Sequence, residues 1–538
     1  MTLDWSQHLI VAPVLVPLLV AALLVPLNET RHQVKFLINA GAVAVQFGIA
    51  LMLVSMTDGG HWQDGIGVYL AANWAAPFGI ALVVDRLAAL MLLLTALLAA
   101  CALLYSMMRW SRIGVHFHSL FQFMLMGLNG AFLTHDLFNL FVFFEVMLAA
   151  SYGLLLHGYN LKRIRAGMQF IAVNLVASLM FLIGLALIYA AAGTLNMADL
   201  AMRLEGLGGD QLALLKVGAG VLAIAFLVKS AMWPLGFWLP ITYAAASPPV
   251  AAMFVLMTKV GVYVVLRLWL LLFSSDSHGA ASFGADVLLW GGMATIVFGA
   301  AGMLASDRHG DLAGYGAIMS SGTLLALIGL GESGVVGAAL FYLLSSTLGM
   351  GAFMLLIELV ERSRNPVEAM LSLTREAFEF EETLDQPVGV GIPAALAFIG
   401  LSFGACALVI TGLPPLSGFV AKFSVFHALL AGEVRGVGLA VMGLVILSGL
   451  AAIIALMRFG VRTFWASGAI NARMHLSEVV PVSLLLFLCV FLTLRAGPML
   501  EYLERTSATL HQPQLYAQRV LAEPAVMSAS AQQARSDG

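Results

Sequence analysis

Charge is what this chain has least of. Of its 538 residues, 10% are Asp, Glu, Lys or Arg, 61% are hydrophobic, and the mean hydropathy is +0.97. A soluble domain carries about 25% charged residues. A soluble globular fold is therefore excluded and a polytopic membrane protein implied. The net charge is -3 and no basic patch could follow a phosphate backbone, so nucleic acid is not an expected partner. Cysteine is equally scarce: Cys101, Cys406 and Cys489 lie in apolar runs and form no CxxC pair. That argues against disulfides, zinc and iron–sulfur ligation, and the thiols read as small buried hydrophobes. A dinucleotide fingerprint and haem ligands are also missing, so no cofactor and no metal are expected. The N-terminus lacks the basic n-region and small-residue cleavage site of a signal peptide and reads as a membrane helix.

What the chain has is apolar runs. A membrane helix needs roughly 20 mostly apolar residues. Fourteen such segments lie near 8–27, 34–56, 79–106, 117–134, 137–158, 167–191, 212–239, 246–273, 285–305, 312–331, 334–360, 391–411 continuing brokenly to 431, 436–462 and 478–497. With the N-terminus outside, the inside loops hold Arg31, Lys35, Arg109, Arg112, Lys162, Arg163, Arg165, Arg308, Arg362, Arg364, Arg375, Arg462 and Arg473. The 57–77 loop has Asp58 and Asp64, no basic residue, and Trp62, Tyr69 and Trp74 as an interfacial aromatic belt. The positive-inside rule thus places both termini outside. An acidic inside loop at 361–390 mixes Glu376, Glu379, Glu381 and Glu382 with Leu and Phe, as a surface helix would. The tail from 501 to 538 starts amphipathic and helical and ends polar and disordered.

Three of the six lysines, Lys229, Lys259 and Lys422, interrupt these runs. A charge at the bilayer centre costs about 2.5–3.5 kcal/mol on insertion scales. Three would cost on the order of 10 kcal/mol, as much as a whole domain's stability. Such residues are paired, hydrated or neutral, and their use is to move protons or ions. A lone lysine near a helix end snorkels to the interface, which suits Lys216. Lys229 lies about thirteen residues further in, roughly 20 Å along the axis. Glu145, about nine residues beyond Asp136 and roughly 13 Å deeper, supplies a counter-charge. Asp85 and Arg86 are adjacent and read as a local pair or interfacial anchor. His135, His157 and His427, near segment ends, read as polar caps.

Two lysines sit beside broken helices. Pro234 follows Lys229 by five residues, and Pro414 and Pro415, flanked by Gly412 and Gly418, precede Lys422. Proline frees a backbone carbonyl, which is tolerated where protein or a water-filled cavity satisfies it. Breaks in corresponding positions of two halves point to a transport site. The letters repeat: PLGF at 234–237 and PLSGF at 415–419. Segments 4–8 and 9–13 then form two five-helix repeats, and an odd count makes them inverted. The expected fold is an all-α polytopic membrane protein of about 14 helices. Its parts are helices 1–3 (1–116), the two repeats (117–273 and 274–462), helix 14 (463–500) and the tail (501–538).

The stretch KSAMWPLGFWLPITYAAASPPVAAMFVLMTKVGVY (229–263) resembles the signature of the proton-pumping antiporter-like subunits. These are shared by respiratory complex I, membrane-bound hydrogenases and the Mrp-type (Sha or Pha) multisubunit cation/proton antiporters. LFNLFVFFEVM (137–147) and TGLPPLSGFVAKF (411–423) resemble the same superfamily. AAASPPVAA, GYGAIMSSGTLLALIGL (314–330) and the 501–521 tail are most similar to the D-type branch of the Mrp antiporters. The resemblance implies a proton path along the midplane through Glu145, Lys229, Lys259 and Lys422. It implies a bacterial inner-membrane location, and as partners a large A-type subunit, small membrane subunits, protons, Na+ or K+ and lipid. Relatives often carry a histidine or lysine in helix eleven, where this chain offers only Ser345, Ser346 and Thr347. Those hydroxyls, His427 and Asp136 are the accessory candidates. The expected activity is proton transport in a multisubunit Na+(K+)/H+ antiporter, not enzymatic turnover. The alternatives are a pumping subunit of a complex I-like or hydrogenase assembly, and a non-transporting scaffold.

Overall fold

A computed structural model describes residues 5–158, 160–274, 280–363, 394–432, 435–464 and 474–523. Among these residues the first repeat and what precedes it comprise α1 (Trp5–Leu24), α2 (His32–Asp58), α3 (Arg86–Ser106), α4 (Phe117–Leu133), α5 (Leu137–Leu156), α6 (Leu161–Ala192), α7 (Met197–Leu204), α8 (Gly209–Lys229), α9 (Trp238–Ala245) and α10 (Pro248–Leu272). There follow α11 (Ala285–Ala305), α12 (His309–Leu330), α13 (Ser333–Ser363), α14 (Ala394–Thr411), α15 (Ser417–Ala431), α16 (Arg435–Phe464), α17 (Leu476–Leu494), α18 (Ala496–Leu510) and α19 (Pro513–Ala522). Thirteen are long and apolar enough to cross a membrane. At 17 residues, α4 falls just short of that length. The acidic 364–393 stretch lies outside the described residues.

Both breaks stand where the prolines put them. Lys229 is the last residue of α8, Ala231 takes a positive φ of 58°, and Pro234 precedes α9. Likewise α14 stops at Thr411, Gly412 has φ 80°, and Pro414 and Pro415 precede α15. Around them the bundle is layered. Outer helices such as α2, α6 and α16 turn Leu37, Met168 and Met457 outward. By contrast, α10 is wholly buried across its 18-residue apolar window, and α12 and α13 nearly so. A side chain in the middle of α10 therefore has no lipid interface to snorkel to.

Two expectations need correction. The apolar run at 79–106 is not one helix. Ala81–Val84 (β2) pairs antiparallel with Gly67–Leu70 (β1), Gly67 opposite Val84, and α3 starts only after Asp85 caps the Ala88 amide at 2.8 Å. Apolar composition does not separate a short buried strand from a helix. The tail begins helical, as expected, and runs so to Ala522, while its polar end at 528–538 lies outside the described residues. The Arg505 and Arg519 guanidiniums meet Asp58 at 3.0 Å and Asp64 at 2.8 Å, and Tyr516, Ala517 and Val520 are buried. A tail with a buried face is held by the bundle, whatever its composition. Finally, Asp85 does not pair with Arg86, whose Nε lies 3.4 Å from Asp58. Gln7 of α1 also donates to Glu523 at 3.3 Å, so both ends of the described chain share one face.

Candidate functional site

At the first break α10 comes unusually close to the end of α8. A Cβ on Gly261 would stand 2.9 Å from the Ser230 nitrogen, so only glycine admits this approach. Trp238 steadies the break by donating its indole N–H to the Val228 carbonyl at 3.2 Å. Lys229 is 5% exposed, and its Nζ has no hydrogen-bond partner. The ammonium lies 5.0 Å from the centroid of the Phe144 ring, a cation–π contact. Glu145, the next residue on α5, interacts with Lys229 electrostatically, while its carboxylate accepts a short hydrogen bond from Ser178 of α6. The acid and the amine thus face one region without closing an ion pair.

Lys259 of α10 donates to the Ser320 hydroxyl of α12 at 2.7 Å. Beside Ser320 and Thr323 stands the phenol of Tyr342 on α13. One turn along α13, the Ser345 hydroxyl meets that of Ser417 at 2.8 Å. Ser417 opens α15, the helix that carries Lys422. Ser346 and Thr347 instead turn back to the Leu343 carbonyl of their own helix. Of the three accessory hydroxyls on this helix only Ser345 reaches across, and Tyr342 was overlooked because a lone tyrosine in an apolar run reads as core.

Lys422 donates to the Thr411 carbonyl at 2.6 Å. That carbonyl would bond the amide four residues on, which is Pro415 and has no N–H. The amine fills the gap the proline leaves. A Cβ on Gly412 would fall 2.4 Å from Lys422 Cδ, so glycine is required there for space as well as for φ. His427 is exposed on α15, away from this line. Asp136 caps α5 by accepting from the Asn139 amide at 2.9 Å, at the end of the bundle where the chain termini lie. Burial raises its carboxyl above the ordinary range, against the pull of the Asn139 and Phe138 amides.

Two polar clusters were missed. In the first, Arg267 of α10 interrupts VVLRLWLL as the lysines interrupt their runs, and that was the available signal. Its guanidinium forks onto both Asp85 oxygens at 2.5 and 2.9 Å and donates to the Tyr263 hydroxyl at 2.9 Å. Burial opposes the Asp85 charge, but Arg267 and the Ala88 amide hold the carboxyl below its ordinary value. In the second, Asn39 and Gln46 of α2 face His118, Gln122 and Asn129 of α4. Asn129 donates to Gln46 at 3.2 Å, Gln46 to Gln122 at 3.0 Å and Gln122 to Asn39 at 2.7 Å, and the Asn39 amide meets His118 Nδ1 at 2.9 Å. Asn129 also donates at 2.9 Å to the Pro13 carbonyl, whose helical partner would be Pro17. The signal was Lys35, Asn39 and Gln46 against His118, Gln122 and Asn129, each spaced four and then seven. Gln122→Leu is expected to lower stability by about 1–2 kcal/mol, seen as a lower unfolding temperature in detergent. An unchanged temperature would count against the ladder.

Buried lysines at two matched helix breaks, with a third on a helix buried along its length, define a membrane protein that keeps ionisable groups deep in its bundle. The family described as NADH:quinone oxidoreductase/Mrp antiporter, TM, matches residues 134–448, and the chain belongs to it. It is 52% identical over 533 residues to the D-type subunit of a probable K(+)/H(+) antiporter of Rhizobium meliloti (strain 1021), covering 97% of this chain and 99% of that one. It is 30% identical over 532 residues to the D-type subunit of the Na(+)/H(+) antiporter of Alkalihalophilus pseudofirmus, covering 96% and 100%. A chain of the Mrp complex from Dietzia sp. DQ12-45-1b superposes with a TM-score of 0.82 at 26% identity, covering 97% of this chain and 100% of that one.

Proposed function

We propose that this chain is the D-type, proton-carrying subunit of a bacterial multisubunit cation/proton antiporter. The observation that carries the reading is the row of deep ionisable groups bridged by hydroxyls. Glu145 and Lys229 stand at the first break, Lys259 reaches Ser320, and Ser345 reaches Ser417 on the helix of Lys422. Tyr342 supplies the step between Ser320 and Ser345 that the expected hydroxyls alone did not. Protons move inward along this row and exchange for outgoing K+ or Na+ with the other subunits, a large A-type subunit and small membrane subunits. Potassium is the first cation to test, because the relative that is 52% identical bears a K(+)/H(+) name. Both termini lie outside in this reading, and the arginine-rich face lies inside. A 510 Å3 cavity opens on that inner face between Arg163, Tyr243, Ala251 and Glu358. Ala251 is two turns of α10 below Lys259, which sets the cavity about 12 Å along the axis from the amine-bearing residue.

The test uses membrane vesicles holding the whole complex, with an imposed pH difference and added K+ or Na+. Lys422→Ala should slow cation-driven collapse of the pH difference at least about tenfold, with the complex still assembled. Exchange at the normal rate would sink the reading. Tyr342→Phe removes one hydroxyl and no bulk, and should slow exchange about tenfold without loss of assembly. A rate equal to wild type would take Tyr342 out of the path. Co-purifying partners address the complex I-like alternative: small antiporter subunits support the present reading, and quinone or iron–sulfur subunits the other.

A further inference from the structure

Above Lys259, Tyr263 and Arg267 follow along α10 at steps of four residues. They climb about 12 Å on one side of the helix toward the end where α18 and α19 lie. The climb ends in a buried polar cluster, a chamber only in the sense that side chains fill and close it. Arg267 is 7% exposed, Asp85 3% and His135 1%. The Tyr263 hydroxyl donates to the Phe132 carbonyl at 2.7 Å and accepts from Arg267. His135, between α4 and α5, is fixed through its backbone: its N–H donates to Ala81 of β2, and its carbonyl accepts from Met197 of α7. One ring nitrogen, Nδ1, meets the Tyr516 hydroxyl at 3.3 Å. The other, Nε2, is buried with no hydrogen-bond partner among the described residues. An imidazole nitrogen sealed in this way is unusual, since buried polar atoms are nearly always satisfied.

The roof of the chamber is α19. Tyr516 stands over the Arg267 guanidinium, 5.3 Å from ring centroid to Cζ, and edge-on to the His135 ring at 4.9 Å. Tyr516, Ala517, Val520 and Leu521 pack against the bundle, and the remaining ties of α19 are polar and nearer solvent. Arg519 meets Asp64 at 2.8 Å, Gln514 donates to Glu205 at 2.8 Å, and Glu523 accepts from Gln7 at 3.3 Å. Exposed polar contacts of this kind are weak individually. For the site beneath to open, this ten-residue helix must lift its buried face off the membrane helices.

We propose that His135, Asp85, Arg267 and Tyr263 form the outer mouth of the Lys259 proton route, and that α19 closes it with Tyr516. The proposal rests on the reading of Lys259 as a proton carrier. While α19 is down, Tyr516 covers His135 and keeps water from the ring. When α19 lifts, water reaches His135 Nε2, which takes a proton from outside. That proton passes by water and the Tyr263 hydroxyl, which gives up its own proton as it accepts the new one, to the neutral Lys259 amine. His135 returns to its neutral form, and Lys259 gains one proton. Burial and the Arg267 charge hold His135 down to about 3 while the roof is closed, so the imidazole stays neutral until the chamber opens.

The test locks the roof. Asp64→Cys with Arg519→Cys places two accessible thiols where the ion pair was, in a chain whose own cysteines are buried. Joined by a short cleavable bis-maleimide in vesicles holding the whole complex, this variant should exchange at least about tenfold more slowly than after the linker is cleaved. Equal rates before and after cleavage would overturn the proposal. His135→Gln offers a second measurement: exchange should fall about tenfold with the complex assembled, and an unchanged rate overturns it. Lys259→Ala separates the two levels of inference. If exchange is lost in Lys259→Ala but indifferent to the linker and to His135, the mouth is wrong and the carrier reading stands. If Lys259→Ala also exchanges normally, the carrier reading itself fails.

Discussion

Lys229→Ala should reduce cation/proton exchange to the background of empty vesicles, a loss of at least about a hundredfold, while the complex still assembles. The amine is 5% exposed and has no hydrogen-bond partner, so only the Phe144 ring and the nearby Glu145 answer its charge. A residue held so loosely contributes little to the architecture. Replacing an ionic group in a low-dielectric site by an apolar one is often neutral or stabilising. Lys229→Met should therefore leave the unfolding temperature unchanged or raised and still abolish exchange. Lys229→Arg makes the sharper distinction. It keeps the positive charge, but a guanidinium does not give up its proton in proteins. If the charge alone mattered, Arg would rescue; if the proton matters, it fails. Exchange in the Arg variant approaching wild type would refute a proton-carrying Lys229.

The second large effect is on folding and concerns Asp85 and Arg267. Breaking a buried ion pair by removing one partner costs about 3–5 kcal/mol, whereas replacing both by apolar or neutral groups can be nearly neutral. The two single variants should also differ. In Arg267→Met the stranded Asp85 can take a proton and become neutral. In Asp85→Asn the stranded Arg267 has no such escape, so this variant should be the less stable. Asp85→Asn combined with Arg267→Met should recover most of the loss. Thermal unfolding of the purified complex measures all three. A double variant as unstable as the sum of the singles would show that the pair is not coupled as the 2.5 and 2.9 Å contacts imply.

Much of this site was legible in the sequence, and the reasons are energetic. A lysine inside twenty apolar residues is conspicuous because lipid penalises it, and a proline inside such a run is conspicuous because it strands a carbonyl. Those two penalties located Lys229, Lys259, Lys422 and both helix breaks. What stayed hidden was partnership. Asp85 meets a residue 182 positions away, and its sequence neighbour Arg86 offered a nearer but wrong answer. Tyr342 and the Asn39–Asn129 ladder were missed for a related reason: a neutral polar group carries little insertion penalty, and the ladder's matched spacings mean nothing until the two helices are known to be neighbours. The strand at Ala81–Val84 was lost because alanine and valine suit a buried strand as well as a helix. Tyr516 was hidden by the polar residues around it in a tail that resembles disordered sequence.

The contact between Lys422 and the Thr411 carbonyl has a mechanical consequence. An amine that loses its proton keeps two N–H bonds, so it remains a donor in both protonation states. The end of α14 stays tethered whether Lys422 is loaded or empty. A histidine there would have to choose which ring nitrogen to offer, and a carboxylate would repel the carbonyl when ionised. If Lys422 carries protons as proposed, lysine lets charge come and go while the joint it bridges keeps its shape.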